Sequence, residues 1–211
     1  MKFLKENSYD ILRLFINQIG VTIFSFFLYT AVGMIEDSAT KTYVNVAVSV
    51  VSMLFYFFLL YTVAWEWGAK DKIRIDAGRQ SCFKFKGALM SLYANVINFL
   101  LSAAAAMSIG FYMLSEKVWL LDTYFVVNLI MRFLSTMYIG ITGAVFAGLN
   151  PEGEVIISGV LDEAQRQLCL SCFLQSLSFF ILPILSILVT HLAYVFGLRE
   201  KKIFSKQKKQ K

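Results

Sequence analysis

The chain has 211 residues, of which 58% are hydrophobic and 16% are charged, and its formal net charge is +6. A soluble domain averages about 45–50% apolar and about 25% charged residues, so this composition excludes an ordinary soluble domain and indicates a membrane protein. The positive charge is concentrated in residues 69–87 and at the end of the chain. That distribution favours contact with anionic lipid over a nucleic-acid surface.

Four apolar stretches are long enough to cross a bilayer as helices, because about 20 apolar residues span a hydrocarbon core of about 30 Å. These stretches cover residues 11–35, 43–65, 88–114 and 169–197. They predict an all-α integral membrane protein with a single transmembrane helical domain over residues 1–197. Residues 198–211 form a basic tail that is expected to be cytoplasmic.

A fifth apolar segment, residues 118–149, is longer than one span and too short for two. Polar or small residues fall on one of its helical faces: Asn128, Arg132, Thr136, Gly140, Gly143 and Ala147. Arg132 lies well inside this apolar segment. A charge inside a membrane is costly and usually faces protein, water or an interface. We therefore single out Arg132 as a candidate intramembrane or interfacial charge.

The distribution of basic residues predicts the orientation. The N-terminus, residues 69–87 and the tail are basic and are expected in the cytoplasm, whereas residues 36–42 and 150–168 are net acidic. An even number of crossings must then separate residue 87 from the tail, yet three apolar segments lie between them. We predict that residues 118–149 do not cross and form a re-entrant or interfacial amphipathic helix beside four transmembrane helices. Five transmembrane helices are the alternative.

Polar rows at helical spacing mark two of the spans. The first span carries Gln18, Thr22, Ser25 and Tyr29, and the third carries Ser91, Asn95, Asn98 and Ser102. At 1.5 Å of rise per residue, polar groups of three spans lie in the inner half of the membrane. These groups predict an inner-leaflet polar pocket of Asn17, Gln18, Asn95, Asn98 and His191. The alternative is an interhelical hydrogen-bond clamp.

The stretch KDKIRIDAGR (residues 70–79) suggests a second candidate site. Charge alone accounts for its basic residues but not for Gly78 or the acids Asp71 and Asp76. Asp76, Gly78 and Arg79 are a candidate partner loop, and the alternative is an orientation signal that ends in a turn.

Signatures of membrane enzymes are absent from the sequence. It has no His-Glu-x-x-His, Gly-x-Ser-x-Gly or P-loop motif, and it has a single histidine. The lone C-x-x-C at Cys169 and Cys172 is interpreted as two small side chains on one helical face. We expect no catalytic residue, no cofactor and no metal, and we expect that the protein is not an enzyme.

Three short stretches resemble a group of small, uncharacterised multi-pass membrane proteins of Gram-positive bacteria: NQIG at residues 17–20, KDKIRIDAGR at residues 70–79 and GLREKKIF at residues 197–204. The resemblance implies no activity. The polar rows favour a transport or channel component of the bacterial cytoplasmic membrane. The alternatives are a non-catalytic accessory or scaffold subunit of a membrane complex and an intramembrane enzyme.

The expected partners follow from the same composition. They are the lipid bilayer, anionic lipid at the basic loop and tail, and a membrane-protein partner or a second copy of the chain. No nucleic acid is expected.

Overall fold

The computed structural model describes residues 2–79, 81–146 and 162–199, and all the regular structure within them is helical. The predicted all-α class is therefore confirmed. The elements in chain order are α1 Lys2–Val32, α2 Ser38–Asp76, α3 Lys86–Ala94, α4 Val96–Ser115, α5 Val118–Leu134, a 3₁₀ turn Thr136–Tyr138, α6 Ile139–Phe146 and α7 Glu163–Leu198.

Four helices, α1, α2, α4 and α7, are long and apolar enough to cross a membrane. Helix α5 and the segment Thr136–Phe146 meet at a bend of 81° and would count as a fifth span if taken as one. Helices α1 and α2 extend beyond the predicted spans, to Lys2 and Asp76. Part of the interval 69–87 is consequently helix and not loop.

The outer surface of the bundle carries many large apolar side chains. Those of Leu100, Phe111 and Leu129 are 65%, 56% and 71% exposed. Exposed apolar area of this extent is unfavourable in water and normal against lipid. The surface therefore agrees with the membrane character that the composition indicates.

The basic segments of the described chain meet at one end of the bundle. The ring of Phe3, at the start of α1, packs against Phe83 and Tyr93 with centroid distances of 6.2 Å in both cases. At the same end, the Tyr194 hydroxyl of α7 donates a hydrogen bond of 2.8 Å to Asp71 of α2. We call this the basic end.

The other end contains the turn between α1 and α2, the turn between α4 and α5, and the start of α7. We call it the acidic end, because its five carboxylates outnumber the basic side chains of Lys41, Lys117 and Arg166; the carboxylates are Glu36, Asp37, Glu116, Asp162 and Glu163. The Thr40 hydroxyl and N–H donate to Asp37, which lowers the pKa of that carboxyl below its usual value. The charges of the two ends thus differ in sign.

Helix α7 packs closely against α2 at the basic end through two glycines. A methyl group on Gly197 would clash with the carbonyl oxygen of Trp65, and one on Gly68 would clash with that of Tyr194. Small residues let two backbones approach in this way. Asp71 lies just beyond the contact and is 2% exposed, and Lys86 Nζ donates to it at 2.8 Å. The carboxylate therefore joins α2, α3 and α7.

The chain reverses its course after α5. The carbonyl of Leu134 lies beside Thr22 of α1, but the N–H of Gly140 lies beside Tyr29, about 10 Å further toward the acidic end at 1.5 Å per residue. On α2, Gly140 packs against Asn45, near the acidic end of that helix. Helix α5 starts at the acidic end and α6 returns toward it, and we call α5, the 3₁₀ turn and α6 the bent pair.

We expect the Gly140→Ala substitution to lower the free energy of unfolding by about 1–3 kcal/mol, a typical cost of overpacking. The added methyl group would clash with the Asn45 backbone and press on the Ser49 hydroxyl, forcing α6 away from α2. Denaturant titration in detergent, followed by circular dichroism, measures this change.

Gly143→Ala is the matched control, since nothing lies within 4 Å of a methyl group at this position in the same helix. We expect it to leave the stability unchanged or to raise it by up to about 1 kcal/mol through helix propensity. Equal effects of the two substitutions would contradict the packing of α6 on α2.

Candidate functional site

The last carbonyl groups of α5 are bonded by side chains at the bend. The Thr136 hydroxyl is placed to donate to the carbonyls of Phe133, at 2.6 Å, and Arg132, at 3.2 Å. The Leu134 carbonyl accepts from the Thr22 hydroxyl at 3.0 Å and from the Gln18 amide at 3.4 Å. The carbonyl groups at the end of α5, which have no N–H partner within the helix, are therefore bonded by Thr136 and by two side chains of α1.

The N–H groups on the far side of the bend are bonded by hydroxyls of α1 and α2. The N–H of Gly140 points to Ser49 Oγ at 2.8 Å and to Tyr29 Oη at 2.9 Å, and the N–H of Ile141 points to Ser49 Oγ at 3.3 Å. The Tyr29 and Ser49 hydroxyls also form a short hydrogen bond with each other. The bend is thus held on both sides by side chains from other helices.

Three buried amides form a hydrogen-bonded chain next to the bend. Asn98 Nδ2 donates to Gln18 Oε1 at 3.0 Å and to Asn95 Oδ1 at 2.9 Å. Asn95 Nδ2 in turn donates to the Ser186 hydroxyl of α7 at 3.1 Å. We call Gln18, Asn95 and Asn98 the amide relay, and each is at most 5% exposed.

The amide relay connects four parts of the fold. Gln18 belongs to α1 and contacts the bent pair through the Leu134 carbonyl, Asn95 separates α3 from α4, and Ser186 belongs to α7. The Oδ1 atom of Asn98 is buried and has no hydrogen-bond partner. The relay therefore clamps the helices together and leaves one acceptor unused.

Only part of the predicted polar pocket comes together. Gln18, Asn95 and Asn98 touch one another, whereas Asn17 is half-buried and takes no part in the relay. The His191 ring stacks on Phe85 near the basic end, with centroids 5.6 Å apart and planes 5° apart, and its Nδ1 is buried without a partner. His191 is thus separate from the relay.

The candidate charge Arg132 lies on α5 and reaches across to α7. One terminal nitrogen of its guanidinium donates a short hydrogen bond to Gln175 Oε1. Its Nε is buried and unpartnered. The arginine therefore faces protein over part of its surface, while the whole residue is only half-buried.

Local contacts account for much of the candidate partner loop. The Gly78 N–H donates to the Ile75 carbonyl and the Arg79 N–H donates to the Arg74 carbonyl, both at 2.9 Å, with Gly78 at a φ of 68°. This is the Schellman motif that ends a helix at a glycine. The Lys72 ammonium pairs with Asp76 one turn away. Arg79 is exposed.

Sequence reasoning missed Ser49, Gln175 and Ser186, and it noted Asp71 only as an acid of the basic interval and not as a buried partner of Lys86. A signal existed for Ser49, because Asn45, Ser49 and Ser52 follow one another at helical spacing on the second span. No comparable signal marks Asp71, which lies in a basic interval. Gln175 acquires its role only through Arg132, a distant residue in the sequence.

An apolar groove of about 450 Å³ runs between α4 and α7 and opens at the surface. Its walls include Ala103, Met107 and Gly110 from α4 and Phe173 and Leu177 from α7. The side chains that line it are apolar. Across residues 2–79, 81–146 and 162–199 no three His, Cys, Asp or Glu side chains are grouped to hold a metal, and Cys82, Cys169 and Cys172 are free thiols.

Comparison of the chain with protein families, with curated proteins and with solved structures finds no match. The bend, the amide relay and Arg132 therefore have to be interpreted on their own chemistry.

We expect Asn98→Leu to lower the free energy of unfolding by about 1–3 kcal/mol, because it leaves the oxygens of Gln18 and Asn95 buried and unpaired. Asn17→Leu is the matched control and should change stability by no more than about 0.5 kcal/mol. Denaturant titration in detergent measures both. A smaller loss for Asn98→Leu than for Asn17→Leu would contradict the clamp.

Proposed function

We propose that the chain is an integral membrane protein with four crossings, α1, α2, α4 and α7, and that the bent pair is a re-entrant element. The course of the bent pair supports this, since it enters from the acidic end and turns back toward that end beside Tyr29 and Asn45. Non-helical backbone at membrane depth is tolerated when protein satisfies it. The hydrogen bonds around Ser135 meet that condition.

The proposed orientation has the basic end in the cytoplasm. Exposed cations cluster there, on Lys70, Arg74, Arg79 and Lys84, while the acidic end is net negative. Basic segments are retained on the cytoplasmic side and attract anionic lipid. Four crossings and a re-entrant pair bring both termini to that side, in the cell membrane.

We propose that the protein acts as a transport or channel component. The observation that carries this is the convergence of two helix interruptions, at Asn95 and at Ser135, on one buried polar junction. Discontinuous helices whose ends meet polar side chains inside the membrane are the usual construction of solute and ion sites in transporters. The unused Oδ1 of Asn98 gives that junction a free acceptor.

A non-catalytic accessory or scaffold subunit is the second candidate. It is favoured by the amide relay itself, in which every side-chain polar atom except Asn98 Oδ1 is hydrogen-bonded and the bonds of Gln18 and Asn95 reach other helices. A relay of this kind serves as a rigid clamp without passing any solute. The two candidates differ in whether the junction opens.

Cysteine labelling tests the four-crossing proposal. Single cysteines replace Glu163 and Arg199 in a chain whose Cys82, Cys169 and Cys172 are changed to serine, and intact cells and inverted vesicles are treated with a membrane-impermeant maleimide. We expect Glu163→Cys to react from outside and Arg199→Cys from the cytoplasmic side. The reverse pattern would refute the proposed topology.

Flux measurements separate the two functional candidates. Purified protein is reconstituted into liposomes, and the entry of urea, glycerol, H⁺, Na⁺ and K⁺ is followed by light scattering or by enclosed dyes. We expect at least one of these solutes to enter faster than in protein-free liposomes. We also expect Thr22→Val, which removes a hydroxyl from the junction, to change that rate.

Thr62→Val, on an exposed face of α2, is the matched control and should leave the rate unchanged. Folded protein that raises the entry of none of these solutes would reject the transport proposal and favour the accessory role.

A further inference from the structure

Arg132 occupies an unusual position for a charged side chain. It lies about 21 Å along α5 from Val118, at 1.5 Å per residue, in a helix whose outer face is apolar. A guanidinium does not lose its proton in proteins, so the charge persists wherever the side chain is placed. In the membrane embedding proposed above, such a charge is strongly unfavourable without a partner of opposite sign.

The contacts of Arg132 supply no such partner. Gln175 accepts one hydrogen bond from the guanidinium but carries no charge. In the part of the chain that the structure describes, no acidic side chain lies within ion-pair distance of Arg132. Its Nε is buried and donates to nothing. The site therefore combines an uncompensated positive charge with an unused donor.

A second unused polar group lies one helical turn away. Asn128 precedes Arg132 by four residues on the same face of α5, and its Oδ1 is buried without a partner. Rotation of this amide by half a turn exchanges its oxygen and its NH₂ group, so Asn128 can present donors in place of the acceptor. Donors from both residues can then converge on one ligand.

The face continues toward the start of α5 as a polar seam with α7. Tyr124 lies two turns before Arg132, and its hydroxyl is within hydrogen-bonding reach of Cys172 and Ser176. Gln175, which holds the guanidinium, stands between these two residues of α7 in the sequence. The seam offers hydroxyl, thiol and amide groups and no carboxylate.

We propose that Arg132, with Asn128 and Gln175, binds an oxyanion: a carboxylate or a phosphate group. The planar guanidinium matches the two oxygens of such a group through parallel N–H donors, and charge-assisted hydrogen bonds of this kind are the strong ones. Gln175 accepts one N–H of Nη2, and the unused Nε–H lies on the edge of the guanidinium that Nε shares with Nη2, where it can donate to an oxygen of the ligand. The anion is either a small solute or the phosphate of an anionic lipid.

The two possible origins of the anion, a small solute or a lipid, are tested in two arms of one experiment. In the first arm, delipidated protein in maltoside detergent is titrated with inorganic phosphate and with acetate by calorimetry. In the second arm, protein in phosphatidylcholine nanodiscs, with or without phosphatidylglycerol, is released and examined by native mass spectrometry. Each arm uses the wild type, Arg132→Gln, and Arg166→Gln as a control at an exposed arginine of α7.

We expect the wild type to bind the probe of one arm and Arg132→Gln to weaken that binding roughly 10- to 100-fold, the effect of losing a charge-assisted hydrogen bond. Arg166→Gln should bind like the wild type. Binding of free phosphate or acetate identifies a small solute, and selective retention of phosphatidylglycerol identifies a lipid. Binding of neither probe by the wild type, or equal binding by Arg132→Gln, overturns the proposal.

Asn128→Leu covers the case in which Arg132→Gln does not fold, as judged by circular dichroism and gel filtration. It retains the charge and removes the amide, so we expect a weaker affinity with unchanged helix content, and an unchanged affinity would count against the site. Neither arm measures solute entry. A failure to detect solute entry in liposomes therefore does not contradict anion binding at Arg132, and a failure to detect anion binding does not contradict the transport proposal.

Discussion

A helix that breaks inside an apolar environment must find partners for the backbone groups it releases, and the fold of this chain depends on how that is done at Ser135. An unpaired backbone group in such surroundings costs several kcal/mol. The carbonyls of Arg132, Phe133 and Leu134 are bonded by Thr136, Thr22 and Gln18, and the N–H groups of Gly140 and Ile141 by Tyr29 and Ser49. The polar residues along α1 and α2 thus share one role: they supply hydrogen-bond partners for the backbone groups that the 81° bend releases.

The rest of the bundle holds those partners in place. Helix α7 contacts α2 through Gly68 and Gly197, and the buried carboxylate of Asp71 adds α3 through Lys86. The amide relay extends this frame from α7 to α1, because Ser186, Asn95, Asn98 and Gln18 follow one another in hydrogen-bonding contact. Gln18 consequently takes part in both the relay and the bend. Gln18 is thus the side chain that links the relay to the bend, because it bonds both Asn98 and the Leu134 carbonyl.

The helices and the polar face of α1 can be predicted from the sequence, whereas the bend and the contacts between distant residues cannot. Apolar length alone locates the four long helices, although the predicted third span, residues 88–114, is interrupted at Asn95 and divided into α3 and α4. Helical spacing identifies the row of Gln18, Thr22 and Tyr29 that faces the bend. The position of the bend is not evident, because Ser135 has no proline beside it, while Pro183 lies within the continuous helix α7. Leu134 and Gln18 are 116 residues apart, so their contact depends on packing that no local pattern encodes. The same holds for Arg132 and Gln175, and for the contacts of Asp71 with Lys86 and Tyr194.

The central claim is that the bent pair enters and leaves on the same side of the bundle. Pulsed electron paramagnetic resonance in lipid nanodiscs tests it, with one spin label at Val145 in α6 and a second at Thr42 or at Arg79, near opposite ends of α2. We expect Val145 to lie nearer to Thr42 than to Arg79, with the two distances differing by roughly 40 Å, because the rise of 1.5 Å per residue along α2 puts about 50 Å between these two positions. A shorter distance from Val145 to Arg79 would mean that the pair runs through to the basic end, and it would contradict the account.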